Sequence, residues 1–489
     1  MGSGHRRLST GIDRLDTVVG GGYIEGRSYL LHGPAGSGKT ILGFHFLEAC
    51  GEDEQGLFIN LEEELSDLRT NAASLGFDTD PVEFLDLSPG AEAFAEDRTY
   101  EVFSAADVEW EPLAEAVMEA VERVEPDRVV IDPLTQFRHL IDDGFQFRKQ
   151  VVGLMRYLKT QGATVVFTVQ ETRQTPSEDL QFISDGYLTV TNDGDRRRLA
   201  VPKFRGSATK DGAHAYRITG EGIEVYPELE PDGHSRQFPS EVLSSGVAEV
   251  DDLLHGGVER GSVTIVSGPT GVGKTTLCTQ FAHEAATRGE RSVVYLFEEA
   301  RETFARRSEA VGIPVERMVE DGHLRVEEVE GLDLSPQEFA ARVREEVEDR
   351  GAELVMVDGL SGYRITLDNE EEVLRHVHAL GRYLKNIGVT TLLVDETSAV
   401  FGEFRATEHN VSYIADNIVV LRHLELGGEL RKAVGVLKKR TSDYERTLRE
   451  YAITEDGIRV GEPLTGLRGI LSGTPEFVDG GGHEPIDGG

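Results

Sequence analysis

The sequence has only two cysteines, Cys50 and Cys278, in 489 residues. That excludes a disulfide framework and a cysteine-rich zinc site and points to a reducing compartment. Each cysteine falls on a predicted helix and reads as a small buried hydrophobe. No apolar run approaches the ~18 residues of a membrane span. No apolar stretch behind Met1–Arg7 would serve as a signal peptide, and Arg6 stands where a myristoylation motif needs Ser or Thr. A cytoplasmic protein with no membrane partner is expected. Positive charge is scarce too: 50 basic residues face 88 acidic ones, a net charge of −38, and roughly ten of the basic residues are lysine. The acids are spread along the chain rather than gathered in a tail. Dispersed acidity with arginine favoured over lysine fits a halophilic protein, whose self-repulsion concentrated salt screens.

What is present is a repeat. Gly33-Pro34-Ala35-Gly36-Ser37-Gly38-Lys39-Thr40 and Gly268-Pro269-Thr270-Gly271-Val272-Gly273-Lys274-Thr275 both read G-x-x-x-x-G-K-T, 235 residues apart, and Thr276 follows the second. Each follows an apolar run (Tyr29–Leu31, Val263–Val266) and opens a helical pattern, the setting this phosphate-binding loop requires. Its glycines let backbone N–H groups converge on phosphates at a helix N-terminus. The lysine reaches the outer phosphates and the threonine hydroxyl is a Mg²⁺ ligand.

The same offset relates Ser9-Thr10-Gly11 to Ser244-Ser245-Gly246, Gly21-Gly22 to Gly256-Gly257, and Gly26 to Gly261. Strand-like runs recur at Gly56–Asn60 and Ser292–Phe297, at Arg128–Ile131 and Leu354–Val357, and at Ala163–Phe167 and Val389–Leu393, with helical patterns at Gln146–Thr160 and Glu370–Lys385. Such alternation predicts an α/β fold of two tandem P-loop domains, each a mostly parallel sheet flanked by helices. The expected domains are residues 1–232 and 233–475, joined through a Pro/Glu/Gly-rich linker at Tyr226–Pro239. A Gly-rich tail, 476–489, is expected to lack fixed structure.

Asp132 and Asp358 close apolar strands, where an acid can hold Mg²⁺ opposite the loop threonines Thr40 and Thr275. Glu62-Glu63 and Glu298-Glu299 close the strand after each P-loop helix. One carboxylate of each pair there can take a proton from the water attacking a γ-phosphate. Lys203-Phe204-Arg205 and Lys438-Lys439-Arg440 recur 235 apart, far in sequence from each P-loop. Cations so placed suit a finger that reaches ATP held by a neighbouring subunit.

Together with the terminal Leu467-Arg468-Gly469-Ile470-Leu471-Ser472-Gly473-Thr474-Pro475, these features resemble the KaiC family of double-domain, RecA-like ATPases, over about Leu8 to Pro475. The resemblance implies a two-tiered homohexameric ring with ATP between subunits. It also implies a slow ATPase in the first domain and a Ser/Thr autokinase and autophosphatase in the second. The segment Arg405–Asp416 resembles the family's phosphoacceptor segment: Ser412 falls on the serine position, Tyr413 replaces the adjacent threonine, and Thr407 matches a further hydroxyl. Gln181 and Phe182 stand opposite Ser412 and Tyr413 in the first domain, which has no acceptor there. The tail does not resemble the segment by which the clock protein meets its activating partner, so a complete clock is not expected. The reading is a Mg-ATP-dependent ATPase that serves a signalling or timing role with an unknown protein partner. Two rivals remain: a RecA-like DNA-dependent ATPase, disfavoured by the acidity and scarce basic clusters (Arg196–Arg198, Lys438–Arg440), and a nucleotide-gated scaffold with negligible turnover.

Overall fold

The computed structural model describes residues 5–89, 110–139, 144–170, 178–194, 196–331, 334–365, 370–397, 413–426, 428–470 and 476–477. The chain divides into two compact units, residues 1–228 and 229–489.

In the first unit the strands of the central sheet are β1 (Ser28–Gly33), β2 (Gly56–Asn60), β3 (Val82–Asp86), β4 (Arg128–Asp132), β5 (Thr164–Gln170), β6 (Gly186–Asn192), β7 (Arg197–Phe204), β8 (Ala213–Thr219) and β9 (Gly222–Tyr226). Their spatial order is β9-β8-β7-β6-β1-β5-β4-β2-β3. From β3 through β6 the neighbours are parallel; β7 to β9 extend the sheet as antiparallel hairpins. The second unit repeats this with β10 (Val263–Gly268), β11 (Arg291–Leu296), β12 (Leu324–Glu328), β13 (Ala352–Asp358), β14 (Thr390–Glu396), β15 (Asn417–Leu426), β16 (Glu429–Lys439), β17 (Arg449–Thr454) and β18 (Gly457–Pro463). Its order, β18-β17-β16-β15-β10-β14-β13-β11-β12, is the first shifted by nine strands. The mostly parallel α/β sheet expected twice from the sequence is present twice; the antiparallel third was not anticipated.

The central strands are apolar throughout because helices cover both faces. In the first unit one core gathers Phe44, Phe58, Val130 and Val166, and another, on the alternate residues, gathers Leu57, Val129, Phe137 and Phe147. The helix after the first P-loop, α1 (Lys39–Glu48), lies so close to β4 that a Cβ on Gly43 would stand 2.9 Å from Val130 Cγ1. Cys278, at the matching place in α2 (Lys274–Thr287), is buried, and burial pushes its thiol well above the ordinary range, as it pushes that of Cys50 up to about 11. Cys278 is thus the buried helical hydrophobe expected, whereas Cys50 lies past the end of α1 and is only partly buried.

The Tyr226–Pro239 stretch is more ordered than its composition suggests. Tyr226 ends β9, and Leu229 packs against the second unit's core. Asn386 Nδ2 donates to the Pro231 carbonyl at 2.9 Å, and Arg236 N donates to the Asn386 carbonyl at 3.0 Å. Glu476–Phe477, expected to open an unstructured tail, pairs antiparallel with Leu467–Arg468. No helix among the described residues is long and apolar enough to cross a membrane.

Candidate nucleotide sites

In register, Gly33 pairs with Gln170, Asn60 with Asp132, and Ile131 with Phe167. The P-loop, the strand-end aspartate and the glutamate pair after Asn60 therefore gather at one edge, beyond the carboxyl ends of the parallel strands, where open α/β sheets bind ligands. Gly268, Glu396, Leu296 and Asp358 hold the same places in the second unit.

Each P-loop is propped from beneath by the antiparallel strands. Tyr216 Oη donates to the Ser37 carbonyl at 2.6 Å, and Tyr451 Oη donates to the Gly273 carbonyl at 3.3 Å. Gly38 has φ +86° and Gly273 φ +110°; a Cβ on Gly273 would stand 2.4 Å from Ile453 Cδ1. A glycine is therefore required where the loop turns into the helix. Val272 and Thr276 are buried in the second unit, and Ser37 Oγ donates to the Pro34 carbonyl at 2.8 Å in the first. Arg197, one of the Arg196–Arg198 run, donates to the Gly36 carbonyl at 2.7 Å.

Lys39 is buried, donating to the carbonyls of Gly33 (3.0 Å) and Pro34 (2.7 Å); Lys274 donates to the Pro269 carbonyl at 2.9 Å. Burial pulls both lysines below their ordinary pKa. Asp132 and Glu62 oppose this at Lys39; Glu396, Asp358 and Glu298 oppose it at Lys274. The acids are strained the other way. Burial raises Asp132, against hydrogen bonds from Thr168 and Thr40, and pushes Asp358 up to about 6, against a hydrogen bond from Thr275 (3.2 Å) and the charge of Arg307. Glu63 is raised by burial, then by Asp132 and Glu62.

The first carboxylate of each pair acts on the P-loop lysine, whereas the second acts on the neighbourhood of the aspartate. Glu62 is exposed, with Gln170 Nε2 at 3.4 Å; Glu298 Oε1 accepts from Gly362 N at 3.2 Å. Glu299 Oε2 lies 2.8 Å from Arg307 Nη2. A desolvated lysine beside convergent loop amides fits a polyphosphate. An over-crowded aspartate bonded to the loop threonine fits a divalent cation, which would relieve its raised pKa. Thr40 with Asp132, and Thr275 with Asp358, are the residues suited to Mg²⁺.

The Lys-x-Arg repeats lie elsewhere. Lys203 pairs with Tyr187, which pairs with Leu30, and Lys438 pairs with Ile418, which pairs with Ile265. Arg205 follows at the level of Ser28, five strand residues before Gly33, roughly 17 Å from its own P-loop. Lys203 Nζ caps a helix end through the carbonyls of Gln181 (2.7 Å) and Ser184 (2.6 Å). Arg205 sits 4.0 Å from Asp185, which also binds Lys159 at 2.6 Å; Arg440 sits 3.5 Å from Asp416, which binds Lys385 at 2.7 Å. Both arginines are more than half exposed. Ser412 and Thr407 lie outside the described residues.

Sequence reasoning missed three parts of this arrangement. The tyrosine props sit 235 apart and were there to be found in register. The Lys–Asp pairs recur at unequal offsets, and Arg307 has no arginine counterpart in the first unit, so the repeat conceals them.

Two P-loop ATPase domains in tandem, each with a lysine, a threonine and a strand-end acid at the carboxyl edge, define the class. The family described as "ATPase: KaiC" matches residues 8–230 and 243–465, and the chain belongs to it. Relatives include the "Circadian clock oscillator protein KaiC" of Acaryochloris marina, 28% identical over 488 residues, covering 96% of this chain and 92% of that one. That of Rippkaea orientalis is 28% identical, covering 97% and 92%. The "Circadian clock protein KaiC3" of Synechocystis sp. is 29% identical, covering 97% and 95%.

Proposed function

We propose that this KaiC-family ATPase hydrolyses ATP at both P-loop sites within a homohexameric ring, each site completed by the Lys-x-Arg pair of a neighbouring subunit. The observation that carries the reading is the opposition of the two sheet edges. Lys203 and Arg205, with Lys438 and Arg440, sit at the end of each sheet remote from the P-loop of their own unit, so they do not serve the nucleotide held there. A closed ring of head-to-tail contacts brings one edge to the other at every interface.

Lys39 and Lys274 leave their loop carbonyls for the β- and γ-phosphates, which restore the charge balance that burial denies them. Thr40 with Asp132, and Thr275 with Asp358, hold Mg²⁺, which when bound neutralises phosphate oxygens. Water forms the new bond to γ-phosphorus as the bond to the ADP oxygen breaks. One carboxylate of each glutamate pair takes the proton; Glu62 and Glu298 are the members whose charge acts on the P-loop lysines. Arg205 and Arg440 meet the charge gathering on the transferring group; a finger of this kind is worth ~10³–10⁵ in rate. In the second unit a serine hydroxyl replaces water, and Ser412 is the acceptor, giving a phosphorylation state that a signalling or timing partner reads. The names of the relatives support the timing role. A DNA-dependent role is less well supported, because Arg197 is spent on the Gly36 carbonyl in a chain of net charge −38.

The test is incubation with γ-labelled ATP and Mg²⁺ in concentrated KCl, following phosphate release and label on the protein for wild type and Ser412→Ala. Release with label that the substitution removes is expected. Release without label leaves an ATPase whose signal is conformational, and neither product leaves a nucleotide-gated scaffold.

A further inference from the structure

The two units repeat so closely that a charged residue present in only one of them is informative. Glu63 and Glu299 are 236 apart, and at the same offset on the following helix the first unit has Asn71 and the second Arg307. Asn71 hydrogen-bonds the Glu63 side chain. Arg307, on the helix Arg301–Glu309, places Nη2 2.8 Å from Glu299 Oε2. Its charge also reaches Asp358, where it opposes the effect of burial. The Arg307 side chain is 43% exposed. An ion pair this open contributes little to stability, so its consequence lies with the acids it faces.

We propose that Arg307 is a counter-charge built into the metal side of the second site, a positioning residue that ties down Glu299 and raises the Mg²⁺ concentration this site needs to bind its nucleotide. The inference rests on the reading of Thr275 and Asp358 as the Mg²⁺ residues. A fixed cation beside carboxylates opposes a dication twice as strongly as it would a monovalent ion. Asn71 offers the first site a hydrogen bond and no charge. The second site does carry two extra acids, Asp395 and Glu396, but they act on Lys274, and Glu396 accepts a hydrogen bond from Thr270 in the P-loop. Arg307 thus separates the two sites by metal requirement as well as by position in the chain. A fall in free Mg²⁺ empties the second site first if the remaining differences between the sites are smaller than this one.

The experiment uses the full-length chain with one site silenced, so that each comparison is made within a site. In a Lys39→Ala background, binding of a fluorescent ATP analogue is measured across a Mg²⁺ titration, and Mn²⁺ uptake is followed by electron paramagnetic resonance; neither readout needs turnover. Arg307→Gln is expected to lower the half-saturating Mg²⁺ about tenfold, the scale of one neighbouring charge in a partly solvated site, whereas Arg307→Lys keeps the wild-type midpoint. In a Lys274→Ala background, Asn71→Arg raises the midpoint of the first site. An unchanged midpoint in Arg307→Gln overturns the proposal. So does weaker nucleotide binding by the same factor with and without Mg²⁺, which makes Arg307 a phosphate ligand. Asp358→Asn is the control for the underlying reading. If it leaves the Mg²⁺ dependence intact, the metal site itself is misassigned and the proposal falls with it. If it abolishes that dependence while Arg307→Gln shifts nothing, only the proposal fails.

Discussion

Replacing Asp358 by asparagine should make the nucleotide-free protein more stable while it disables the second site. Burial pushes this carboxyl from 3.8 to about 6, and each tenfold loss of acidity corresponds to about 1.4 kcal/mol between the protonation states. The folded-state pKa is raised, so the unfolded chain gives up its proton first. Stability therefore falls as pH rises from about 4 to about 6 and stays reduced above that. Asparagine cannot ionise, and its Oδ1 still accepts from Thr275. The substitution should raise the unfolding free energy of the second unit by about 1–3 kcal/mol at pH 8 and leave it nearly unchanged at pH 4. Denaturant unfolding of the nucleotide-free protein at the two pH values measures this, through a change in midpoint at constant slope. Stabilisation by Mg²⁺ and ATP, which follows from binding to the folded state alone, should be lost at the second site. A variant no more stable at pH 8, or one equally stabilised at both pH values, would refute the argument that the acid is held charged against the cost of its burial.

Gly273→Ala should impair the second site alone. An L residue at φ +110° is strained by about 1–2 kcal/mol, and its Cβ would meet Ile453; weaker ATP binding there, with the first site unchanged, is the expected readout. Mixing Arg205→Ala subunits with Lys39→Ala subunits should restore some first-site turnover, because some interfaces then pair an intact P-loop with an intact finger. Mixed rings shown to form but without recovered activity would count against a finger acting between subunits.

The parts of the site that chain neighbours define were readable in advance. Lys39, Thr40, Asp132 and their repeats carry a spacing or a strand-end position that chemistry recognises, and alternating apolar runs implied the parallel sheet. The antiparallel extension was not readable, since residues 196–226 lack a strong alternation and carry Arg196–Arg198 at their start. With it went the role of Tyr216 and Tyr451, because a tyrosine in a strand looks like core until the hairpin passes beneath the P-loop. The placement of Arg205 at the far sheet edge depends on strand order, which no local pattern encodes. Arg307 was hidden for the opposite reason: a search for repetition passes over the residue that fails to repeat.

The central claim is that both sites turn over ATP through the glutamate pairs. It is tested most directly by phosphate release from wild type and from the variant carrying Glu62→Gln, Glu63→Gln, Glu298→Gln and Glu299→Gln, with ATP binding measured on the same samples. Loss of release by at least 10², the lower end of what general base catalysis contributes, with binding retained, is the predicted result. Release undiminished in that variant would contradict the account.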